Sequence, residues 1–122
     1  MSRTRLEPSA EHPITVEPST QRVTVSVSGR TIATTGHALV LREASYPPVY
    51  YVPEADVDAS LLTPSDTQTY CPFKGDASYV SVEGEDGPVA DVAWTYREPY
   101  DAVADIAGHF AFYPSKVDVQ VA

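Results

Sequence analysis

Val23, Val25 and Val27 alternate with Thr24 and Ser26. A side-chain period of two belongs to a strand with one buried face. It excludes a helix over the same residues, whose apolar positions would recur every three or four. The chain repeats this device in short runs and interrupts each with Pro or Gly. The β pattern starts at Ile14. Ser28-Gly29 leads from the valine run into Arg30 to Thr35, which reads as a hairpin. Gly36-His37 is a second turn, and Ala38 to Leu41 a third strand. Pro47-Pro48 breaks the chain, and Val49-Tyr50-Tyr51-Val52 resumes as a strand that Pro53 stops.

The second half follows the same grammar. Residues 53–65 carry Glu54, Asp56, Asp58, Pro64 and Ser65, which predict one short helical turn and a loop. Gln68 to Phe73 and Ala77 to Glu83 are strand candidates, and Gly84 to Pro88 is a turn that returns Val89 to Tyr96 as a hairpin partner. Pro99 to Ile106 is the one predicted helix: Asp101 can cap it, Val103, Ile106 and Ala107 share a face, and Gly108 ends it. Phe110 to Tyr113 and Lys116 to Val121 close the chain. Short strands at close spacing with one short helix define an all-β fold of two antiparallel sheets or a barrel-like variant. Residues 1–12 are polar and Pro-containing and predict a flexible N-terminal arm, which leaves 13–122 as a single domain.

With 122 residues the chain suits one core. Its formal net charge of −9 argues against non-specific nucleic-acid binding and against an anionic membrane surface, both of which need a cationic face. The single cysteine, Cys71, excludes an intramolecular disulfide and a zinc site of several thiolates. Asp56-Val57-Asp58 has the spacing of a metal-binding carboxylate pair, but with no phosphate loop before it and Pro53 beside it, a solvated acidic loop is the better reading. No metal and no cofactor is expected. The N-terminal residues have charge but no apolar h-region, and no run of 18 apolar residues occurs, so the expected location is the cytoplasm.

Three segments carry the residues suited to chemistry. In Thr69 to Tyr79, Cys71 is either a small buried hydrophobe or a thiol activated by Lys74. Lys74-Gly75 is either a solvated turn or an anion contact. In Leu41 to Tyr51, Arg42 and Glu43 are either a weak surface pair or an oxyanion clamp beside a carboxylate base. Tyr46, Tyr50 and Tyr51 around Pro47-Pro48 suit a pocket wall. In Ala93 to Tyr100, Trp94 and Tyr96 share a strand face, as core or as a wall for a flat or cationic ligand. Phe110 to Pro114 reads as core and turn.

His12-Pro13-Ile14-Thr15-Val16, Glu43-Ala44, Tyr46-Pro47-Pro48-Val49-Tyr50-Tyr51, Thr69-Tyr70-Cys71-Pro72-Phe73-Lys74-Gly75, Ala93-Trp94-Thr95-Tyr96 and Phe112-Tyr113 together resemble the bacterial family catalogued as domain of unknown function 427. The resemblance runs from His12 to Val121. It implies a β-tent, Mss4-like fold, related in shape to methionine sulfoxide reductase B and the cereblon ligand-binding domain. Zinc-binding cysteines pin the sheets in several relatives of that fold, a ligand set that Cys71 alone cannot supply. Some catalogues label the family nucleotidyltransferase-like, and no residues here support that label.

The fold analogy places a ligand site in the cleft between the sheets. The first expectation is a domain that binds a small aromatic or anionic metabolite, with Arg42, Tyr46, Tyr50, Tyr51, Tyr70, Trp94 and Tyr96 as binding residues. The alternative is an enzyme using Cys71 as nucleophile or redox thiol with Lys74, Arg42 and Glu43. A third expectation is a homo-oligomeric interaction module built on half-exposed edge strands. The partners expected are a small molecule, no nucleic acid and no membrane, in a monomer or homodimer.

Overall fold

The computed structural model describes residues 4–122. Among the described residues there are ten strands: β1 (Ile14–Pro18), β2 (Val23–Val27), β3 (Arg30–Thr35), β4 (Leu39–Glu43), β5 (Val49–Pro53), β6 (Leu62–Cys71), β7 (Gly75–Gly84), β8 (Gly87–Tyr96), β9 (His109–Phe112) and β10 (Asp118–Val121). They form a seven-stranded sheet, order β1-β4-β5-β9-β8-β7-β6, and a three-stranded sheet, order β10-β2-β3. Every strand pairing is antiparallel. The fold is therefore mainly β in two antiparallel sheets, as the period-two runs predict.

Alternation sorts the core into two layers. Val23, Val25 and Val27 of the small sheet meet Val52, Val80, Val82, Val92, Phe110 and Phe112 of the large one. The neighbours of these residues point the other way. Leu41, Tyr51, Ala77, Tyr96 and Ala111 form a second cluster with Val103 and Ile106. The large sheet thus buries both faces, one under the small sheet and the other under the segment from Asp101 to Ile106. At roughly 25 cal/mol per Å² of apolar surface, a fully buried Val or Leu contributes about 1.5–3 kcal/mol, so each layer is a substantial stabiliser.

Two elements depart from expectation. β6 begins at Leu62 rather than Gln68, and Pro64 lies inside it opposite Val80. β6 is an edge strand, so the missing Pro64 N–H breaks no sheet ladder on its open side, and the register slips between Pro64 and Gln68. The predicted helix is a 3-10 segment, Asp101–Ile106, interrupted at Val103 (φ −128°, ψ 28°). Its cap residue is Tyr100, with no side-chain cap, so Asp101 does not serve as one. Val103 and Ile106 are nonetheless its buried face.

Residues 1–3 of the expected N-terminal arm lie outside the described residues. The rest of the arm contacts the domain at several points. The Leu6 N–H donates to the Pro72 carbonyl at 2.9 Å. The Arg5 guanidinium lies 4.1 Å from the centre of the Tyr100 ring. The His12 ring stacks on Phe73 at 4.2 Å. Among the described residues no helix is long and apolar enough to cross a membrane.

Candidate functional site

Glu43 is the last residue of β4, and Lys74 the last residue of the turn that joins β6 to β7. That turn is short because Cys71 pairs directly with Gly75. Gly75 holds φ at +111°, a region that side chains disfavour, and a Cβ there would meet the Glu98 carbonyl oxygen at 3.4 Å. The turn is pinned by the Tyr100 N–H, which donates to the Lys74 carbonyl at 2.9 Å. Lys74 is consequently turned inward and only 8% exposed, an unusual state for lysine.

The buried ammonium is neutralised by Glu43, whose Oε1 accepts from Lys74 Nζ at 2.5 Å. The second carboxylate oxygen accepts from His12 Nε2 at 2.7 Å. Burial alone would raise the Glu43 pKa, but the hydrogen bonds and charges of Lys74 and His12 overcome it and hold the carboxyl below its ordinary value. His12 reaches this position because β1 and β4 pair with Ile14 opposite Glu43. The Cys71 sulfur lies 3.7 Å from Lys74 Nζ, a weak contact on the same ammonium.

Beside this pair is a cavity of about 320 Å³ lined by Leu41, Glu43, Tyr46, Pro47, Val49, Tyr51, Lys74, Tyr79, Trp94, Tyr96 and Tyr113. Six of those residues are aromatic. Trp94 is held on two sides: its ring lies 4.5 Å from Tyr113, and its Nε1 donates to the Tyr51 hydroxyl at 3.3 Å. Tyr79 and Tyr113 stack with centres 6.5 Å apart. Burial raises the pKa of Tyr51 and Tyr96 far above the ordinary phenol value, and burial with the neighbouring Tyr79 hydroxyl pushes Tyr113 up to about 12. All three are neutral phenols near pH 7. Tyr46 stands at the mouth, 65% exposed.

The structure thus brings together Glu43, Lys74, Tyr46, Tyr51, Trp94 and Tyr96 around one cavity. It places the others elsewhere. Arg42 is exposed and, lying between Leu41 and Glu43 on β4, projects from the opposite face. Tyr50 lines a smaller cavity of about 100 Å³ with Val25, Val52 and Phe112. Tyr70 bonds the Tyr100 hydroxyl at 2.7 Å and the Thr4 carbonyl at 2.6 Å, away from the site. Cys71 touches Lys74 but does not line the cavity. Between the sheets the valine-rich core leaves the smaller cavity beside Tyr50, and the larger cavity opens on the far face of the large sheet.

Sequence reasoning did not single out His12, Tyr79 or Tyr113 for this site. Tyr79 had a cue, since it shares a strand face with Ala77, itself core. Tyr113 and His12 reach the site only through long-range register. The acidic loop behaves structurally: Asp56 accepts from the Thr35 hydroxyl at 2.6 Å, and Asp58 caps the turn at Ser60. Among the described residues no group of three or more His, Cys, Asp and Glu side chains is placed to hold a metal ion.

These features define a two-sheet β domain with an aromatic-walled cavity closed at one end by a buried ion pair. Residues 15–122 match the family model described as a domain of unknown function (DUF427), and the chain belongs to that family. A search of curated proteins finds no match.

Proposed function

We propose that this domain binds a small aromatic metabolite in the cavity between Trp94, Tyr96 and Tyr46, with the Lys74–Glu43 pair as its polar end. The observation that carries the reading is the six aromatic residues converging on one recessed ion pair. Pockets that bind small molecules have this make-up, mostly aromatic or apolar surface with a few placed polar groups. Neutral phenols and an indole provide flat faces for stacking. Lys74 Nζ retains donor capacity for a ligand acceptor, because an ammonium carries three protons. The pairing of a large and a small antiparallel sheet also supports the β-tent reading of the architecture.

Trp94 is the single tryptophan and lines both this cavity and the smaller one, so it reports binding, and Tyr46, which lines only the larger, assigns it. Titration with aromatic fragments is expected to change its fluorescence saturably, and Tyr46→Ala to weaken the response. Fragments that bind without disturbing Trp94, or a Tyr46→Ala protein that binds them unchanged, would overturn the proposal.

A second reading, a thiol enzyme, has one observation in its favour: Lys74 Nζ lies 3.7 Å from Cys71 Sγ. An adjacent ammonium favours the thiolate. Against it, Cys71 is outside the cavity lining and Lys74 is already engaged by Glu43. Rapid alkylation of native Cys71 near neutral pH would favour the enzyme; protection until unfolding would remove it.

A further inference from the structure

The charge balance of the site narrows the class of ligand. Among the described residues that line the cavity, Glu43 and Lys74 are the only charged ones, and they neutralise each other. Arg42, the other cation expected at an anion site, lies on the opposite strand face. Lys116 lies 5.4 Å from the centre of the Tyr113 ring, but it is not part of the cavity lining and donates to the backbone carbonyls of Ala90 and Asp91. The cavity therefore offers no unpaired cation to an anion. An anionic ligand would have to take Lys74 from Glu43 and leave a half-buried carboxylate beside itself, which is costly.

A positively charged ligand meets the opposite situation. Six aromatic rings line the walls, and the face of such a ring, the negative pole of its quadrupole, attracts cations within about 6 Å of the centroid. Two tyrosines of this chain already hold cations in this way, Tyr100 with Arg5 and Tyr113 with Lys116. The formal net charge of −9 adds a long-range field that draws cations toward the surface.

We propose that the cavity ligand is an aromatic or methylated ammonium cation, seated with its charge against the rings of Trp94, Tyr96 and Tyr46. This rests on the small-molecule reading above and adds the sign of the charge. A freely hydrated primary ammonium would lose more on desolvation than a methylated one, so the quaternary form suits a cavity lined mostly by aromatic residues.

The test uses three probes of similar size: benzyltrimethylammonium, benzyl alcohol and benzenesulfonate. Each is titrated into the whole protein by calorimetry and followed by Trp94 fluorescence. The cation is expected to bind about tenfold more tightly than the neutral probe and the anion more weakly still. Glu43→Gln unbalances the pair and leaves Lys74 positive. In that variant the order is expected to move toward the anion, by about tenfold at the expense of the cation. Because glutamine keeps the shape, circular dichroism and thermal unfolding check that the variant is folded. If the three probes bind equally, the charge assignment is overturned while the aromatic pocket stands. If the sulfonate binds best to the wild type, the assignment is overturned in sign. If none of the three binds, the charge assignment and the small-molecule reading fall together. Unchanged selectivity in folded Glu43→Gln also overturns the assignment, because it separates selectivity from the pair.

Discussion

Lys74 and Glu43 are separated by 31 positions in the chain and joined by a hydrogen bond of 2.5 Å. The contact depends on two backbone facts. The pairing of β1 with β4 brings His12 onto Glu43 from one side, and the glycine-dependent turn between β6 and β7 brings Lys74 in from the other. The carboxylate thus has both oxygens engaged, and the site inherits its geometry from the sheet.

Replacement of Lys74 by Met is expected to destabilise the domain by about 2 kcal/mol, because Glu43 would stay half-buried with only His12 as partner. The double variant with Glu43→Gln should be less destabilised than the sum of the single changes. Urea unfolding of the four proteins reads the coupling, and strictly additive losses would mean that the pair is energetically silent.

Glu43 also sets an acid dependence. Its pKa is lower in the folded than in the unfolded chain, so on acidification the unfolded state binds the proton first. The stability it supplies is complete above the unfolded value of about 4.3 and is lost as pH falls from there through the folded value. The deficit of Glu43→Gln relative to wild type is therefore expected to shrink below about pH 4.3. A deficit that stays constant to lower pH would show that the carboxylate charge contributes nothing.

The phenols act at the other end of the scale. Burial raises the pKa of Tyr51 and Tyr96, so their contribution is complete below the unfolded phenol value of about 10 and is lost as pH rises toward the folded values. Alkaline unfolding monitored by tyrosinate absorbance should start above about pH 10, and Tyr51→Phe should make that limb shallower. An unaltered limb would place the sensitivity in other residues.

Gly75→Ala puts a side chain at φ +111° against the Glu98 carbonyl, so a loss of about 1–3 kcal/mol is expected, with weaker ligand binding through displacement of Lys74. Arg42→Ala is the control: the residue is exposed and outside the cavity, so stability should stay within about 0.5 kcal/mol of wild type and ligand affinity should not change. Loss of binding in Arg42→Ala would contradict the placement of the site.

Much of the fold is written in local pattern. The valine alternation of Val23 to Val27 and the Gly84 to Gly87 turn suffice to place strands, because the period and the breakers are both short-range. The first half of β6 is hidden by Pro64, which argues against a strand unless the strand is known to be at an edge, and edge position is a property of the whole sheet. The segment from Asp101 to Ile106 carries helical spacing, yet Val103 leaves helical geometry once it packs under the large sheet. At the site, Glu43, Lys74 and Trp94 are legible as polar and aromatic residues in unusual company. Strand alternation separates Arg42 from Glu43, a cue available in the sequence once β4 is assigned. His12 and Tyr113 are not readable this way: His12 reaches Glu43 and Tyr113 reaches the cavity through pairings across the chain, Ile14 with Glu43 and Ala93 with Phe112.

The most direct measurement is a two-dimensional NMR titration of the whole domain with small aromatic fragments. Binding in the cavity predicts saturable shifts at the methyls of Leu41 and the ring protons of Tyr79 and Tyr96, which border it and not the smaller cavity. Saturable shifts confined to Val23, Val25 and Val119, which line the small cavity between the sheets, would contradict the account, as would no saturable shift at all.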